Sequence, residues 1–179
     1  MKSFFAWFFA GCFFLALAPD LMLFEGWRLR NREPYFQPPV LAAGNRLKLR
    51  RDTYGKGHFG ASRNGGRLHK GIDCLAPVGG AVFAAKSGRV RRAETDKGYG
   101  LFVEIAHPGG WLTRYAHLSR LDVRPGQWVT TQSIIGHSGT SGNAESDAIL
   151  PHVHFEIRTS RDAVDPSRGF FAPDLKIGY

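Results

Sequence analysis

The sequence predicts a mostly β fold built of antiparallel sheets, and three observations support this prediction. Short segments of alternating or β-branched residues recur from residue 81 onward, which is the pattern of strands. Turns such as PGG at 108–110 and RPGQ at 124–127 separate these segments too closely for crossover helices. No stretch has a helical period of useful length beyond residue 45. The predicted strands are AVFAA at 81–85, GRVRRAE at 88–94, LFVEIAH at 101–107, WLTRYAHL at 111–118, QWVT at 127–130, SIIG at 133–136 and HVHFEIR at 152–158.

The N-terminal residues have a different character, because they are almost entirely apolar. After Met1 and Lys2, the segment SFFAWFFAGCFFLALAPDLMLF contains one charged residue, Asp20, and is long enough to cross a bilayer as a helix. We predict that residues 1–30 form an N-terminal hydrophobic helix that serves as a membrane anchor or signal segment. This places the rest of the chain in the cell envelope, either in the periplasm or outside the cell.

An uncleaved anchor is the favoured interpretation of this segment, and three alternatives remain. The residues ALA at 16–18 fit the end of a cleaved signal peptide, and FAGC at 9–12 resembles a lipoprotein box. The signal peptide ranks second and the lipoprotein a distant third. A buried core helix is disfavoured, since nothing polar marks a second face. Arg28, Arg30 and Arg32 follow the segment directly. Positive charge on that flank favours the cytoplasmic side, which is the opposite of an orientation with the rest of the chain outside the cytoplasm.

Prolines mark a linker between the apolar segment and the rest of the chain. Residues 31–45, NREPYFQPPVLAAGN, contain Pro34, Pro38 and Pro39, which block regular secondary structure. We expect residues 46–179 to form one globular domain, since a chain of this length supports a single hydrophobic core. The linker is long enough to reach and cover a groove on that domain.

Charge and cysteine content limit the classes of function. The chain of 179 residues has a formal net charge of +9 and a pI near 10.0, which favours an anionic partner. Nucleic acid, a membrane surface and an acidic wall polymer all satisfy this condition, and charge alone does not choose among them. The two cysteines, Cys12 and Cys74, form neither a CxxC motif nor a disulfide framework, so cysteine chemistry is not the expected function.

Two histidines stand one residue apart in the predicted strand PHVHFEIR at 151–158. Side chains alternate between the faces of a strand, so His152, His154 and Glu156 share one face. The apolar residues between them share the other face, which is free to pack in a core. Glu156 either orients one of the imidazoles or forms a salt bridge with a neighbouring arginine.

Two further histidine motifs precede this strand. RLHKGIDC at 67–74 contains His69 and Asp73, and RYAHLS at 114–119 places His117 at a strand end. Zinc accepts imidazole nitrogen and carboxylate oxygen, and catalytic zinc usually has three protein ligands and an open fourth position. His69, Asp73 and one histidine of the later pair are therefore candidate ligands.

Five motifs of the chain occur in an order that resembles a known family. They are GRLHKGIDCLAPVGGAV, GYGLFVEIAH, TRYAHLS, GHSGTSG and PHVHFEIR. Over residues 55–166 or so, the chain is similar to the lysostaphin-type zinc metallopeptidases, the LytM-like peptidoglycan endopeptidases of family M23. The resemblance implies a compact lysostaphin/LytM-like catalytic domain within residues 46–179 that holds one Zn²⁺ per chain. It also implies hydrolysis of peptide bonds in peptidoglycan cross-links or stem peptides.

The resemblance also implies roles for five residues. His69, Asp73 and His154 occupy the metal-ligand positions, while His117 and His152 occupy the two non-ligand histidine positions of the active site. Zinc in such a site lowers the pKa of bound water and polarises the scissile carbonyl. One of the two non-ligand histidines then transfers the proton to the leaving amine, and the other stabilises the oxyanion or shares in proton transfer. The sequence does not say which histidine has which task.

Two other classes of function fit parts of the sequence. Some members of the resembled family lack metal ligands and activate other wall hydrolases, so a non-enzymatic activator is the alternative to an enzyme. All three ligand positions are filled here, which favours catalysis. A nucleic-acid partner is not expected, because neither interleaved aromatics nor a recognised motif accompanies the basic charge. The expected partners are peptidoglycan, the membrane through the N-terminal segment and, as an open option, a regulatory protein.

Three smaller features complete the sequence predictions. NAESDAIL at 143–150 is a longer loop than the shortest family pattern, and we expect it to border the groove and influence substrate choice. Cys74 directly follows Asp73 on a strand and is expected in the core, on the opposite face. His107 precedes a PGG turn and is expected in the turn or at the surface.

Overall fold

Strands provide most of the regular structure of the domain. The computed structural model describes residues 32–179, and the predicted N-terminal helix lies outside these residues. The strands are β1 Arg46–Lys48, β2 Arg51–Asp52, β3 Gly55–Lys56, β4 Ser62–Arg63, β5 Arg67–Leu68, β6 Ile72–Leu75, β7 Ala81–Phe83, β8 Gly88–Asp96, β9 Gly100–Ala106, β10 Leu112–Leu121, β11 Trp128–Val129, β12 Ile134–Ser138, β13 His152–Arg158, β14 Ala163–Val164 and β15 Lys176–Gly178. Short 3₁₀ turns lie at Ala43–Asn45, Asn64–Gly66 and Gly142–Ala144. Within the described part of the chain, no helix has the length and apolar character needed to span a membrane.

One antiparallel sheet of nine strands carries the histidine motifs. Six strands follow the order β11-β8-β9-β10-β12-β7, and β13 pairs with β10, β14 and β6. Two small pairs, β2 with β3 and β4 with β5, are also antiparallel. By contrast, β1 and β15 come from opposite ends of the domain and pair in parallel. The mostly β, antiparallel fold class is therefore confirmed, and the parallel pair is an exception that the sequence did not predict.

Strand β13 shows how alternation produces both the core and the site. Val153, Phe155 and Ile157 point into the hydrophobic core and are fully buried. His152 and His154, together with the glutamate that follows on the same face, are buried as well. Both faces of this strand are thus interior, one apolar and one polar. The core also contains Val82, Val90, Val103, Ile105, Tyr115, Leu118 and Ile135.

Part of the predicted linker packs onto the domain. One compact unit of the chain runs from Tyr35 to Tyr179, and Phe36 and Val40 are buried within it. The Phe36 N–H donates a hydrogen bond of 2.9 Å to the carbonyl of Phe170. Residues 35–45 do not line the groove described below, so this part of the linker leaves the groove uncovered. The division of the chain near residue 45 stays a prediction.

Candidate metal centre

The three residues predicted as metal ligands converge where β6 and β13 pair. Asp73 and His154 are direct partners in the antiparallel register, and His69 lies in the turn between β5 and β6. The His69 Nε2 atom is 2.9 Å from His154 Nδ1 and 2.9 Å from Asp73 Oδ1. His154 Nδ1 is 3.0 Å from Asp73 Oδ1, so the three atoms form a nearly equilateral triangle. We call this arrangement the ligand triangle.

Hydrogen bonds on the far side of each imidazole determine which nitrogen carries a proton. His69 Nδ1 lies 2.8 Å from the carbonyl oxygen of His58, which can only accept, so Nδ1 is the protonated nitrogen. His154 Nε2 lies 3.0 Å from Glu156 Oε1, and an ionised carboxylate can also only accept. Whenever either ring is neutral, it therefore directs the lone pair of its other nitrogen toward Asp73.

Three electron-pair donors at these distances repel one another unless a positive charge lies among them. One such charge is a proton. Burial lowers the pKa of His154, but hydrogen bonds to Asp73 and Glu156 outweigh burial and raise this pKa to about 9. Burial also raises the pKa of Asp73, but hydrogen bonds with the two histidines hold it well below its usual range. The other such charge is a metal cation. Two imidazole nitrogens and one carboxylate oxygen are a ligand set of catalytic zinc, so the residues of the triangle fit Zn²⁺.

Glu156 holds His154 from the side opposite the ligand triangle. Its Oε1 atom accepts hydrogen bonds from His154 Nε2 and, at 2.9 Å, from the Tyr99 hydroxyl. Its Oε2 atom accepts one from Arg158 at 2.6 Å and lies 3.5 Å from Arg114 Nη1. Burial raises the pKa of Glu156, but the hydrogen bond and charge of His154 and the charge of Arg114 lower it to about 2. Glu156 therefore has both roles considered for it, since it orients an imidazole and pairs with arginines.

Two arginines that the sequence analysis did not single out hold the second oxygen of Asp73. Asp73 Oδ2 accepts hydrogen bonds from Arg50 Nε at 3.2 Å and Nη2 at 3.1 Å, and from Arg63 Nη2 at 2.8 Å. These contacts leave Oδ1 directed at the two histidines of the triangle. Because the arginines are 23 and 10 residues from Asp73 in the sequence, no motif spacing indicates the contact.

The two residues predicted as catalytic histidines lie together beside the ligand triangle. The ring centroids of His117 and His152 are 5.0 Å apart, and His152 Nε2 is 3.8 Å from Asp73 Oδ1. His152 Nδ1 is 2.7 Å from the carbonyl of Leu150, and His117 Nδ1 is 2.8 Å from that of Ser141. Both rings therefore carry their proton on Nδ1. Burial lowers the pKa of both histidines, to about 3 for His117, so each is neutral at pH 7 with Nε2 able to accept a proton.

An irregularity in β10 turns His117 toward the site. The pairing of β10 with β9 shifts register between Tyr115 and Leu118, and His117 has a left-handed backbone with φ of 63°. Such a conformation costs a non-glycine residue on the order of 1–3 kcal/mol and is concentrated at functional sites. The His117 N–H donates to the carbonyl of Tyr99 at 2.9 Å, which secures the bulge beside the residue that contacts Glu156. The sequence placed His117 at a strand end but did not predict this bulge.

All five candidate site residues line one groove with a volume of about 1090 Å³. Its remaining lining is both charged and apolar. The charged residues include Arg63, Arg67, Lys70, Asp96 and Asp162, and the apolar ones include Tyr54, Phe59, Leu68 and Ile149. The loop at 143–150 contributes Asn143, Ala144, Ser146 and Ile149, so it borders the groove. Its influence on substrate choice stays a prediction.

His107 and Cys74 lie outside this groove, and the prediction for one of them is wrong. His107, expected in a turn or at the surface, is buried, with Nδ1 3.0 Å from the Ser87 carbonyl and Nε2 2.7 Å from the Thr113 hydroxyl. Phe36 covers the His107 side chain. The two rings are in an edge-to-face arrangement, with their centroids 5.8 Å apart. Sequence reasoning missed this because the covering residue comes from the predicted linker. Cys74 is fully buried in the core, as its position on the strand predicts.

Comparison with known proteins identifies the family of the chain. Residues 67–166 match peptidase family M23, and this interval contains all five candidate site residues. The chain belongs to peptidase family M23. Its fold is that of the catalytic domain of lysostaphin, the antimicrobial peptidase of Staphylococcus simulans. The TM-score is 0.55 at 31% identity, over 65% of this chain and 89% of that one.

Members of different kinds are similar to this chain. A zinc-containing peptidase of Vibrio cholerae has a TM-score of 0.62 and 27% identity, over 77% of this chain and 41% of that one. Stage II sporulation protein Q of Bacillus subtilis is 42% identical over 102 residues, which are 55% of this chain and 35% of that protein. A solved structure contains that sporulation protein in complex with SpoIIIAH. The chain spans 20% of the length of two curated relatives that are peptidoglycan DD-endopeptidases of Vibrio cholerae.

Proposed function

We propose that the protein is a zinc-dependent endopeptidase that hydrolyses peptide bonds in the cross-links or stem peptides of bacterial peptidoglycan. The observation that carries this proposal is the ligand triangle, in which His69, Asp73 and His154 direct three electron-pair donors at one point. We assign one Zn²⁺ per chain to these residues. Membership of a peptidase family, with DD-endopeptidases and a zinc-containing peptidase among the relatives, supports the same assignment.

His152 supplies the proton transfers that hydrolysis requires. Zinc, when bound, lowers the pKa of a water molecule and polarises the scissile carbonyl. His152 Nε2, which lies 3.8 Å from Asp73 Oδ1, accepts the proton as the water attacks the carbonyl carbon. The imidazolium then passes this proton to the leaving amine as the C–N bond breaks. Throughout, the Leu150 carbonyl accepts a hydrogen bond from Nδ1 and keeps the ring in place.

His117 has a narrower set of possible tasks than the sequence allowed. Its Nδ1–H donates to the Ser141 carbonyl, so its Nε2 can accept a hydrogen bond or a proton but cannot donate while the ring is neutral. It can stabilise a developing oxyanion only after it has taken up a proton. We therefore assign to His117 a share in proton transfer with His152, whose ring centroid lies 5.0 Å away.

The setting of this activity is proposed to be the cell envelope. Residues 1–30 are the proposed anchor and would direct the domain to the periplasm or the outside of the cell. The net charge of +9 suits an anionic wall polymer or lipid headgroups. We propose peptidoglycan as the substrate and no nucleic-acid partner.

A binding module that activates other wall hydrolases is the second candidate function. The similarity to stage II sporulation protein Q favours it, since that relative is known in complex with another protein. A groove that contains the full ligand triangle and two neutral histidines favours the enzyme. A regulatory protein partner is compatible with both candidates.

Zinc content and muropeptide release, measured on the same protein, test the two candidates. The full chain is purified in detergent, its zinc is quantified, and its products from purified peptidoglycan are identified by mass spectrometry. We expect about one zinc per chain and release of muropeptides, because the triangle supplies the three protein ligands of a catalytic zinc site. His152→Ala should keep the zinc and lose the release. A parent protein that binds zinc and releases nothing would support the activator, and a parent without either property would refute both the cofactor and the enzyme.

A further inference from the structure

The carboxylate of Asp52 lies outside the ligand triangle but accepts hydrogen bonds from three directions. Arg50 Nη1 donates to both oxygens, at 2.9 and 2.8 Å. The backbone N–H of Tyr54 donates to Oδ1 at 2.9 Å, and that of Leu150 donates to Oδ2 at 3.1 Å. The Asp52 side chain is 8% exposed, so these donors replace water around the charge.

One of these contacts leads to the metal-ligand position at Asp73. Arg50 uses Nη1 for Asp52 and uses Nε and Nη2 for Asp73 Oδ2, so a single guanidinium bridges the two carboxylates. The planar guanidinium fixes the direction of both sets of bonds. A change in the position of Asp52 therefore changes the angle at which the Asp73 carboxylate faces the histidines.

Another contact leads to the proton acceptor at His152. Leu150 donates its N–H to Asp52 and accepts the Nδ1–H of His152 with its carbonyl oxygen at 2.7 Å. Leu150 ends the loop of residues 143–150, which borders the groove. Asp52 thus holds the end of this loop at the residue that determines the tautomer and orientation of His152.

We propose that Asp52 is a positioning residue that sets His152 relative to Asp73, and through Leu150 couples the groove loop to both. The proposal rests on the proposed function, since it assumes that His152 transfers protons beside a metal held by Asp73. Without this carboxylate, Arg50 Nη1 and the Leu150 N–H lose their shared acceptor. Either can then move by itself, so the separation of 3.8 Å between His152 Nε2 and Asp73 Oδ1 is no longer maintained.

Two substitutions at Asp52 and one matched control test this role in the full chain. Asp52→Ala removes the carboxylate, and Asp52→Asn keeps its volume but presents an NH₂ group to one of the two backbone N–H donors. Asp122→Asn is the control, because Asp122 also accepts hydrogen bonds from an arginine two residues earlier, Arg120, at 2.7 and 3.2 Å. Asp122 does not line the groove.

Three readouts separate positioning from general stability. Zinc affinity is measured by competition with a chelator, and kcat and KM by muropeptide release. The tautomer of His152 is measured by ¹⁵N NMR, which needs no turnover. For both Asp52 variants we expect kcat to fall about 10–100-fold and zinc affinity by up to about tenfold, with KM changed less, since residues that orient ligands have effects of this size. The His152 signal should change from one Nδ1–H tautomer to a mixture, and Asp122→Asn should match the parent.

Several results would overturn the role of Asp52. Variants that keep the His152 tautomer, with kcat and zinc affinity at the parent level, would show that Asp52 positions neither group. Loss of activity only in proportion to the unfolded fraction, or failure of both variants to fold, would make Asp52 a stability residue. If the parent itself releases no muropeptides, the proposed function fails. The zinc affinity and the His152 signal would still decide whether Asp52 orients these side chains.

Discussion

Replacing Glu156 by glutamine removes a negative charge from the interior and keeps the shape of the side chain. Glu156 is fully buried, and its two oxygens accept hydrogen bonds on different sides. His154 and Tyr99 donate to Oε1, and Arg158 donates to Oε2. A glutamine must turn its NH₂ group toward one of these sides, where a donor would face a donor. We expect both the stability of the fold and the affinity for zinc to fall.

The pKa of Glu156 gives the size of the effect on stability. Burial raises this pKa, but the hydrogen bond from His154 lowers it to about 2, compared with an ordinary value of 4.5. This difference corresponds to about 3 kcal/mol in favour of the folded carboxylate. Because the folded pKa is depressed, the contribution is complete above pH 4.5 and is lost as the pH falls to about 2. Glu156→Gln should therefore lower the free energy of unfolding by up to about 3 kcal/mol at pH 7, and should remove the part of the acid dependence that Glu156 contributes in that window.

Denaturant unfolding of the full chain in the presence of a chelator measures this free energy for the metal-free protein. Glu94→Gln is the matched control, because Glu94 also accepts a hydrogen bond from an arginine two residues away, Arg92, at 2.7 Å, but is exposed. This surface change should alter the free energy of unfolding by less than about 0.5 kcal/mol. In a separate titration, zinc affinity of Glu156→Gln should fall about 10–100-fold, because His154 loses the acceptor that orients it. Stability and zinc affinity that both match those of Glu94→Gln would refute this reasoning.

Three further predictions concern the groove loop, the bulge and the surface charge. Deletion of residues 145–148 should change which muropeptides are released more than it changes zinc content, and equal loss of both would show that the loop is structural. Gly100→Ala should lower the free energy of unfolding by more than about 1 kcal/mol in denaturant melts, since Gly100 has φ of 65° and a Cβ there would overlap Ser141 Oγ. The same change should reduce muropeptide release, because the Ser141 carbonyl holds the His117 ring. Unchanged release would show that activity does not depend on this contact. Binding to isolated wall material should weaken as salt rises, given the net charge of +9, and salt-independent sedimentation would contradict an electrostatic contact.

Most of the main sheet could be predicted because the alternation of apolar residues reports which face is buried. The predicted segment at 152–158 coincides with β13, and the segment at 101–107 differs from β9 by one residue at each end. The pairs β2 with β3 and β4 with β5 could not be predicted, because their strands have two residues each and no buried face. The parallel partner of β1 lies at the far end of the domain, where no local pattern indicates it.

Some residues of the candidate site could likewise be predicted from the sequence, and others could not. Ligand types and the spacing of the histidines limit what a zinc site can contain, so His69, Asp73 and one histidine of the later pair could be proposed before the fold was described. The choice of His154 over His152 came from the resemblance to a known family. Arg50 and Asp52 could not, since short strands rich in charge look like solvent-exposed edges until their partners are placed. Their role depends on contacts between residues that are far apart in sequence, such as Asp52 with a backbone N–H 98 residues away.

Strand β13 shows how the local alternation of residues and the contacts between distant residues act together. Its period of two places the proposed proton acceptor His152, the proposed ligand His154 and Glu156 on one face, while Phe155 and its apolar neighbours anchor the other face in the core. A slip of one residue in register would move the three polar side chains into that core and the apolar ones into the groove. The burial that stabilises the sheet therefore also determines the direction in which the site residues point. Core packing sets the register, and the arginines and carboxylates around the groove then set the final positions of the histidines.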